Sequence, residues 1–115
     1  MAKAPVLTEK QRTLPKGVAE AAARGLELRD QHDRGGTEVG RRRAHQLKNR
    51  EPVSERDIKS IYSYFARHTV DKQGKNWGDK DKPSAGYIAW LLWGGDAAER
   101  WVGGLHDKLE KKADA

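Results

Sequence analysis

The run Gly40-Arg41-Arg42-Arg43-Ala44-His45-Gln46-Leu47-Lys48-Asn49-Arg50 carries five Lys/Arg cations and no acid between Glu38 and Glu51. Guanidinium forks match the oxygens of a phosphate, so Arg41, Arg42, Arg43, Lys48 and Arg50 point to polyanion binding. On a helix, three consecutive residues fan over roughly 200°. One of Arg41, Arg42 and Arg43 must then graze the core side while two face water. The plainer alternative is a solvated face that offsets Glu20, Glu27, Asp30 and Asp33.

A second basic group is Lys72, Lys75, Lys80 and Lys82 around Trp77. Lysines flanking an aromatic can hold a single strand, with a base on the ring and ammoniums along the phosphates. Asp71, Asp79 and Asp81 interleave with them and dilute that field. The preferred reading is that Trp77 folds back onto the core and the lysines solubilise the segment. A third pattern partly mimics a helix-turn-helix: Ala44, Leu47, Val53, Ile58 and Ile61 supply apolar positions, and Arg56, Lys59, Ser60 and Ser63 would face the groove. The connection Asn49-Arg50-Glu51-Pro52-Val53 is longer than the tight form of that motif requires.

Catalytic chemistry finds less support. The chain has no cysteine, which excludes disulfides, thiolate nucleophiles and thiolate zinc sites. His32, His45, His68 and His106 are dispersed, and none pairs with another at the spacing that binds a metal from one helix. His32-Asp33 and His106-Asp107 are sequence neighbours, which do not face each other on a helix. Gly74-Lys75 lacks the spaced glycine and following hydroxyl of a phosphate loop. Gly94-Gly95-Asp96 is similar to the signature of cyclic-dinucleotide synthases, but the strand hairpin that carries it is missing, and it reads as a helix stop and cap. A non-catalytic protein without metal or cofactor is expected. Glu, Asp and His brought together from distant positions are the alternative.

These groups need positioning elements. Apolar periodicity predicts an all-α bundle of four or five short helices. The first spans residues 15–33, with Val18, Ala21, Ala22, Leu26 and Leu28 as its stripe. Pro15 suits its first turn, and Gly25 within it invites close approach of another helix. The second spans 37–49, capped by Thr37, with only Val39, Ala44 and Leu47 apolar. The third begins after Ser54, with Asp57 as a short capping-box acid, and buries Ile58, Ile61, Tyr62 and Phe65 while Tyr64 and Arg67 point elsewhere. Residues 70–83 read as a long loop. The fourth spans 84–93 and is apolar nearly all round, so it is the central helix. In the fifth, Asp96 caps with Glu99 as its partner. Trp101, Val102, Leu105 and Leu109 face in, and Gly103-Gly104 kinks or shortens it.

Three of the four tryptophans fall within twelve residues. The expected core is therefore Trp-rich: Ile58, Ile61, Phe65, Ile88, Leu91, Leu92, Trp90 or Trp93, Trp101 and Leu105. At 115 residues the chain makes one domain, expected over 14–110. A flexible arm is expected over 1–13 and a flexible tail over 111–115.

Only 36% of residues are hydrophobic, 35% are charged and the formal charge is +6. That balance favours an anionic partner, nucleic acid first and an acidic protein or membrane surface second. The N-terminal residues Met1 to Thr8 hold no apolar stretch of signal-peptide length, and no segment approaches the roughly 20 apolar residues of a membrane span. The expected location is a cytoplasm, with no membrane partner.

Four segments carry a resemblance: Leu14-Pro15-Lys16-Gly17-Val18-Ala19-Glu20-Ala21-Ala22-Ala23-Arg24-Gly25-Leu26-Glu27-Leu28, Gly35-Gly36-Thr37-Glu38-Val39-Gly40, Tyr64-Phe65-Ala66-Arg67-His68-Thr69-Val70-Asp71-Lys72 and Pro83-Ser84-Ala85-Gly86-Tyr87-Ile88-Ala89-Trp90-Leu91-Leu92-Trp93-Gly94-Gly95-Asp96. Together they resemble a small uncharacterised domain of tailed bacteriophages, found alone or joined to head-morphogenesis proteins such as prohead proteases. The likeness covers about residues 14–101. It implies a phage product in the host bacterial cytoplasm or the virion, and it brings no site residues with it. The expected function is non-catalytic nucleic-acid binding, DNA before RNA, by Arg41, Arg42, Arg43, Lys48 and Arg50 with Lys72, Lys75 and Lys82 as auxiliaries. The alternative is a virion, head-assembly or host-interaction protein that binds another protein.

Overall fold

The computed structural model describes residues 7–50 and 52–114, with the backbone alone described beyond Glu110. The described residues are all-helical, with no strand. Helix α1 is a single turn, Glu9–Arg12, followed by α2 (Lys16–His32), α3 (Glu38–Lys48) and α4 (Glu55–His68). A 3₁₀ helix, Thr69–Gln73, leads into a connection to α5 (Ala85–Leu92), and α6 (Gly95–Asp114) closes the chain.

Local chemistry sets the helix starts. Thr37 accepts from the Gly40 amide and Ser84 from the Tyr87 amide. Ser54 and Asp57 form the reciprocal capping box. Thr8 and Gln11 form another, which gives residues 7–13 a structure where a flexible arm was expected. Leu7 is buried, and Val53 and Arg12 exchange two hydrogen bonds: the Val53 amide to the Arg12 carbonyl at 3.0 Å, and Arg12 Nη1 to the Val53 carbonyl at 3.1 Å. The flexibility expected of residues 1–6 and of Ala115 lies outside the described residues. At the other end the helical backbone continues to Asp114, so residues 111–114 are helix where a tail was expected.

Two expectations about α6 are corrected. The helix passes unbroken through Gly103 and Gly104, where an added methyl would meet nothing within 4 Å. Asp96 lies inside the first turn, and one of its carboxylate oxygens is taken by the Trp90 indole N–H (2.9 Å) and Lys72 Nζ (2.8 Å) rather than by the helix's own amides.

Helix α5 is central, packing on α2, α3, α4 and α6. Trp90 and Trp93 are both buried, with Ile88 and Leu92, while Leu91 and Trp101 are only partly covered. Gly25 brings α2 against α5: a Cβ there would lie 2.7 Å from the Leu92 amide nitrogen and 3.0 Å from the Leu91 carbonyl carbon. Tyr64, expected to point away, is buried instead. It stacks on Trp93 with centroids 4.5 Å apart, while Phe65 meets Trp90 edge-on at 4.7 Å. The four-residue offset from Ser60 puts Tyr64 on the flank of α4 that faces α3 and α5, which a single apolar stripe centred on Ile61 and Phe65 does not capture.

Gly25→Ala is expected to destabilise by about 1–3 kcal/mol, because the backbone of α5 must move despite the gain in helix propensity. Gly103→Ala or Gly104→Ala should stabilise by about 0.5–1 kcal/mol each, since neither meets an obstacle. Urea denaturation of the three variants checks both signs.

Candidate nucleic-acid interface

The α3 cations are mostly engaged. Arg41 Nη2 donates to Glu38 Oε1 at 2.7 Å and its Nε to the same oxygen at 3.0 Å, one turn apart on an exposed face. Arg43 is turned inward, its side chain 15% exposed. Its Nη1 donates to Asp57 Oδ1 at 2.9 Å and to Gln46 Oε1 at 2.7 Å, and the guanidinium lies 5.3 Å from the Trp93 ring centroid. Arg43 is thus a clamp between α3 and α4. Arg50 takes a left-handed backbone (φ 56°) and donates from Nε (3.3 Å) and Nη2 (3.1 Å) to the Leu14 carbonyl, which ties the end of α3 to the entry of α2. Of the five expected phosphate ligands, Arg42 and Lys48 are exposed and form no ion pair among the described residues.

In the second basic group Lys72 alone forms ion pairs among the described residues. Lys72 Nζ is 2.8 Å from Asp96 Oδ1 and sits 4.7 Å over the Trp90 ring, so it holds the core closed. Trp77 is half-buried, edge-on to Tyr87 at 5.2 Å and to Trp90 at 5.6 Å. It folds back onto the core, as preferred. The segment expected as an irregular loop begins with the 3₁₀ helix. Further on, Asp79 accepts from the amides of Asp81 (2.8 Å) and Lys82 (2.9 Å). Lys75 and Lys82 are exposed.

Helix α4 has the opposite balance. Both of its acids are committed: Glu55 accepts from the Leu7 amide, and Asp57 from Arg43, Gln46 and the Ser54 amide. Its outer face carries Arg56, Lys59, Ser63 and Arg67, all exposed, and the three cations form no ion pair among the described residues. Their spacing of three and four residues makes one stripe about 16 Å long. On α3, Arg42 and the 58%-exposed Val39 line a shallow depression with Arg43 and Gln46.

Arg56, Lys59, Ser60 and Ser63 entered the sequence reading only through the helix-turn-helix pattern. That motif is not built here, since α3 packs on α2 and α5 and reaches α4 chiefly through the Arg43 side chain. Arg67 was read only as pointing away from the core. The available signal was partial: the Ser54–Asp57 capping box commits one α4 acid locally, but the Leu7 and Arg43 partners of Glu55 and Asp57 lie far along the chain.

Burial pushes the Asp57 carboxyl up, but hydrogen bonds from Arg43, Gln46 and the Ser54 amide outweigh that and hold it below its ordinary 3.8. The Lys72 hydrogen bond likewise holds Asp96 below the same value, against burial and with help from the Trp90 N–H. Among the described residues, no three His, Cys, Asp or Glu side chains gather as a metal ion requires, and no helix is long and apolar enough to cross a membrane. Comparison with family models, curated proteins and solved structures gives no match.

Both carboxyls have folded pKa values below their unfolded ones, so folding favours their charged forms. Their stabilisation is full above about pH 4 and is lost as pH falls through the depressed folded values. Thermal melts from neutral to acid pH should show that loss. Asp57→Asn should lower stability at neutral pH by about 1–3 kcal/mol and flatten the acid limb.

Proposed function

We propose that this is a non-catalytic phage protein that binds nucleic acid through its phosphate backbone, with the contact surface on α4. The observation that carries this reading is the stripe Arg56, Lys59 and Arg67, interleaved with the Ser63 hydroxyl, on a helix whose acids are both occupied elsewhere. Arg42 on α3 is a further exposed cation without an ion pair among the described residues. Cations without internal partners keep their full donor capacity for phosphate oxygens, whereas Arg41 and Lys72 would first have to leave a carboxylate. Arg43 and Arg50 serve the fold rather than the ligand.

A second reading, a head-assembly or host-interaction protein, is favoured by Val39. Its exposed side chain beside Arg42 suits an acidic partner with an apolar contact.

Binding of a DNA oligonucleotide should weaken by about three to four log units of affinity per log unit of salt, a little under one for each of the four phosphates held. Replacing Arg42, Arg56, Lys59 and Arg67 together by alanine should reduce affinity at least about a hundredfold at low salt. Arg41→Ala should change it less than about twofold, since that guanidinium is already paired. Fluorescence anisotropy over a salt series measures all three. No binding at low salt, or full binding by the quadruple variant, sinks the proposal.

A further inference from the structure

We infer that a groove from the start of α3, past the end of α4, to the start of α5 docks an acidic, amphipathic segment of another protein. Val39 and Val70 are its apolar contacts, and Arg42 and Arg67 its charged ones. This rests on the protein-binding reading above and gives it a place and an occupant.

Three depressions, each of about 420–440 Å³, lie along this path. Val39 lines both the first and the second, and Asp71 both the second and the third, so they join end to end. Arg42 belongs to the first, Arg67 to the second and Val70 to the third. Gly36, Ala89 and Gly86 line the way between and raise no large side chain into it. Tyr64 and Trp93 stack on each other in the wall, and their rings are used up by the core. Among the described residues, Val39 and Val70 are the large apolar side chains left exposed, at 58% and 63%. An apolar side chain standing alone on a surface needs no explanation, but two bordering one groove make a contact surface.

The charge along the groove selects the occupant. Arg42 and Arg67 are exposed and form no ion pair among the described residues. Arg43, at one end, is committed to Asp57. The acid in the lining is Asp71, and His68 Nδ1 already holds its Oδ2 at 3.0 Å. The uncompensated charge is therefore positive, and carboxylates complement it. A phosphate backbone would meet the two arginines but offers little aliphatic surface to cover the valines. A peptide segment that interleaves Asp or Glu with Leu, Ile or Val meets both needs. Arg67 also belongs to the α4 stripe, so nucleic acid and the segment compete for it, whereas Val39 and Val70 serve the segment alone.

The test selects a random-peptide library on the intact protein and measures the recovered sequences, as synthetic peptides, by fluorescence anisotropy. They should combine Asp or Glu with aliphatic residues, and exchanging their acids for amides should weaken them. Val39→Ser and Val70→Ser, both at exposed positions, should each weaken binding about five- to tenfold. Arg42→Ala and Arg67→Ala should each weaken it about two- to fivefold, with a loss in added salt. The Val39→Ser/Val70→Ser double variant should hold a DNA oligonucleotide as the wild type does. Recovered peptides that lack acids, or that bind the double variant with wild-type affinity, overturn the groove while leaving a protein contact elsewhere on the surface. Loss of oligonucleotide binding in the double variant gives the groove to nucleic acid and overturns the proposal too. Recovery of no binding peptide overturns both the groove and the protein-binding reading.

Discussion

Burying an indole leaves its N–H to be satisfied, and the fold is arranged around doing so for Trp90. The ring is 1% exposed, and its N–H donates to Asp96 in the first turn of α6. Phe65 of α4 and Trp77 of the 74–84 connection meet it edge-on, and Lys72 from the 3₁₀ helix lies over its face. One side chain thereby joins every element after α3. Each aromatic contact adds about 0.5–1.5 kcal/mol beyond the area it buries, a large share for a chain that is 36% hydrophobic.

Asp96 also explains why Lys72 is held against the core. The carboxylate needs a counter-charge near a buried ring, and Lys72 supplies it. Arg43 does the same for Asp57 beside Trp93. Two cations from the basic segments are therefore structural, while Arg42 and Lys48 on α3 and Arg56, Lys59 and Arg67 on α4 stay exposed without ion pairs among the described residues. A lysine at position 43 would keep the charge but not the fork that reaches Asp57, Gln46 and Ser60 together.

Much of the helical frame was legible in the sequence, because the signals were local. Thr37, Ser54 and Ser84 mark helix starts, and the stripe of Ile58, Ile61 and Phe65 marks an inward face. Gly25 announced a close helix crossing. What escaped depends on partners far along the chain. The stretch around Arg43 looks acid-free when read linearly, yet its acid comes fourteen residues later on the next helix. Tyr64 lies just off the apolar stripe and is buried only because Trp93 stacks against it. Leu7 looks like part of a polar arm until Arg12 and Val53 are seen to bond. The α4 surface was visible in part, under a motif the helices do not form.

The glycine pair halfway along α6 divides that helix into unequal investments. Upstream, Ala98 and Val102 are fully buried in the hydrophobic core. Downstream, the helix is held by Leu105, Leu109 and the His106 ring stacked on Tyr62 at 3.7 Å. Two residues of low helix propensity at the junction make unwinding there cheap. The distal turns can peel away as a unit while the tryptophan interior stays shut, so the C-terminal end of this molecule has a lower melting threshold of its own.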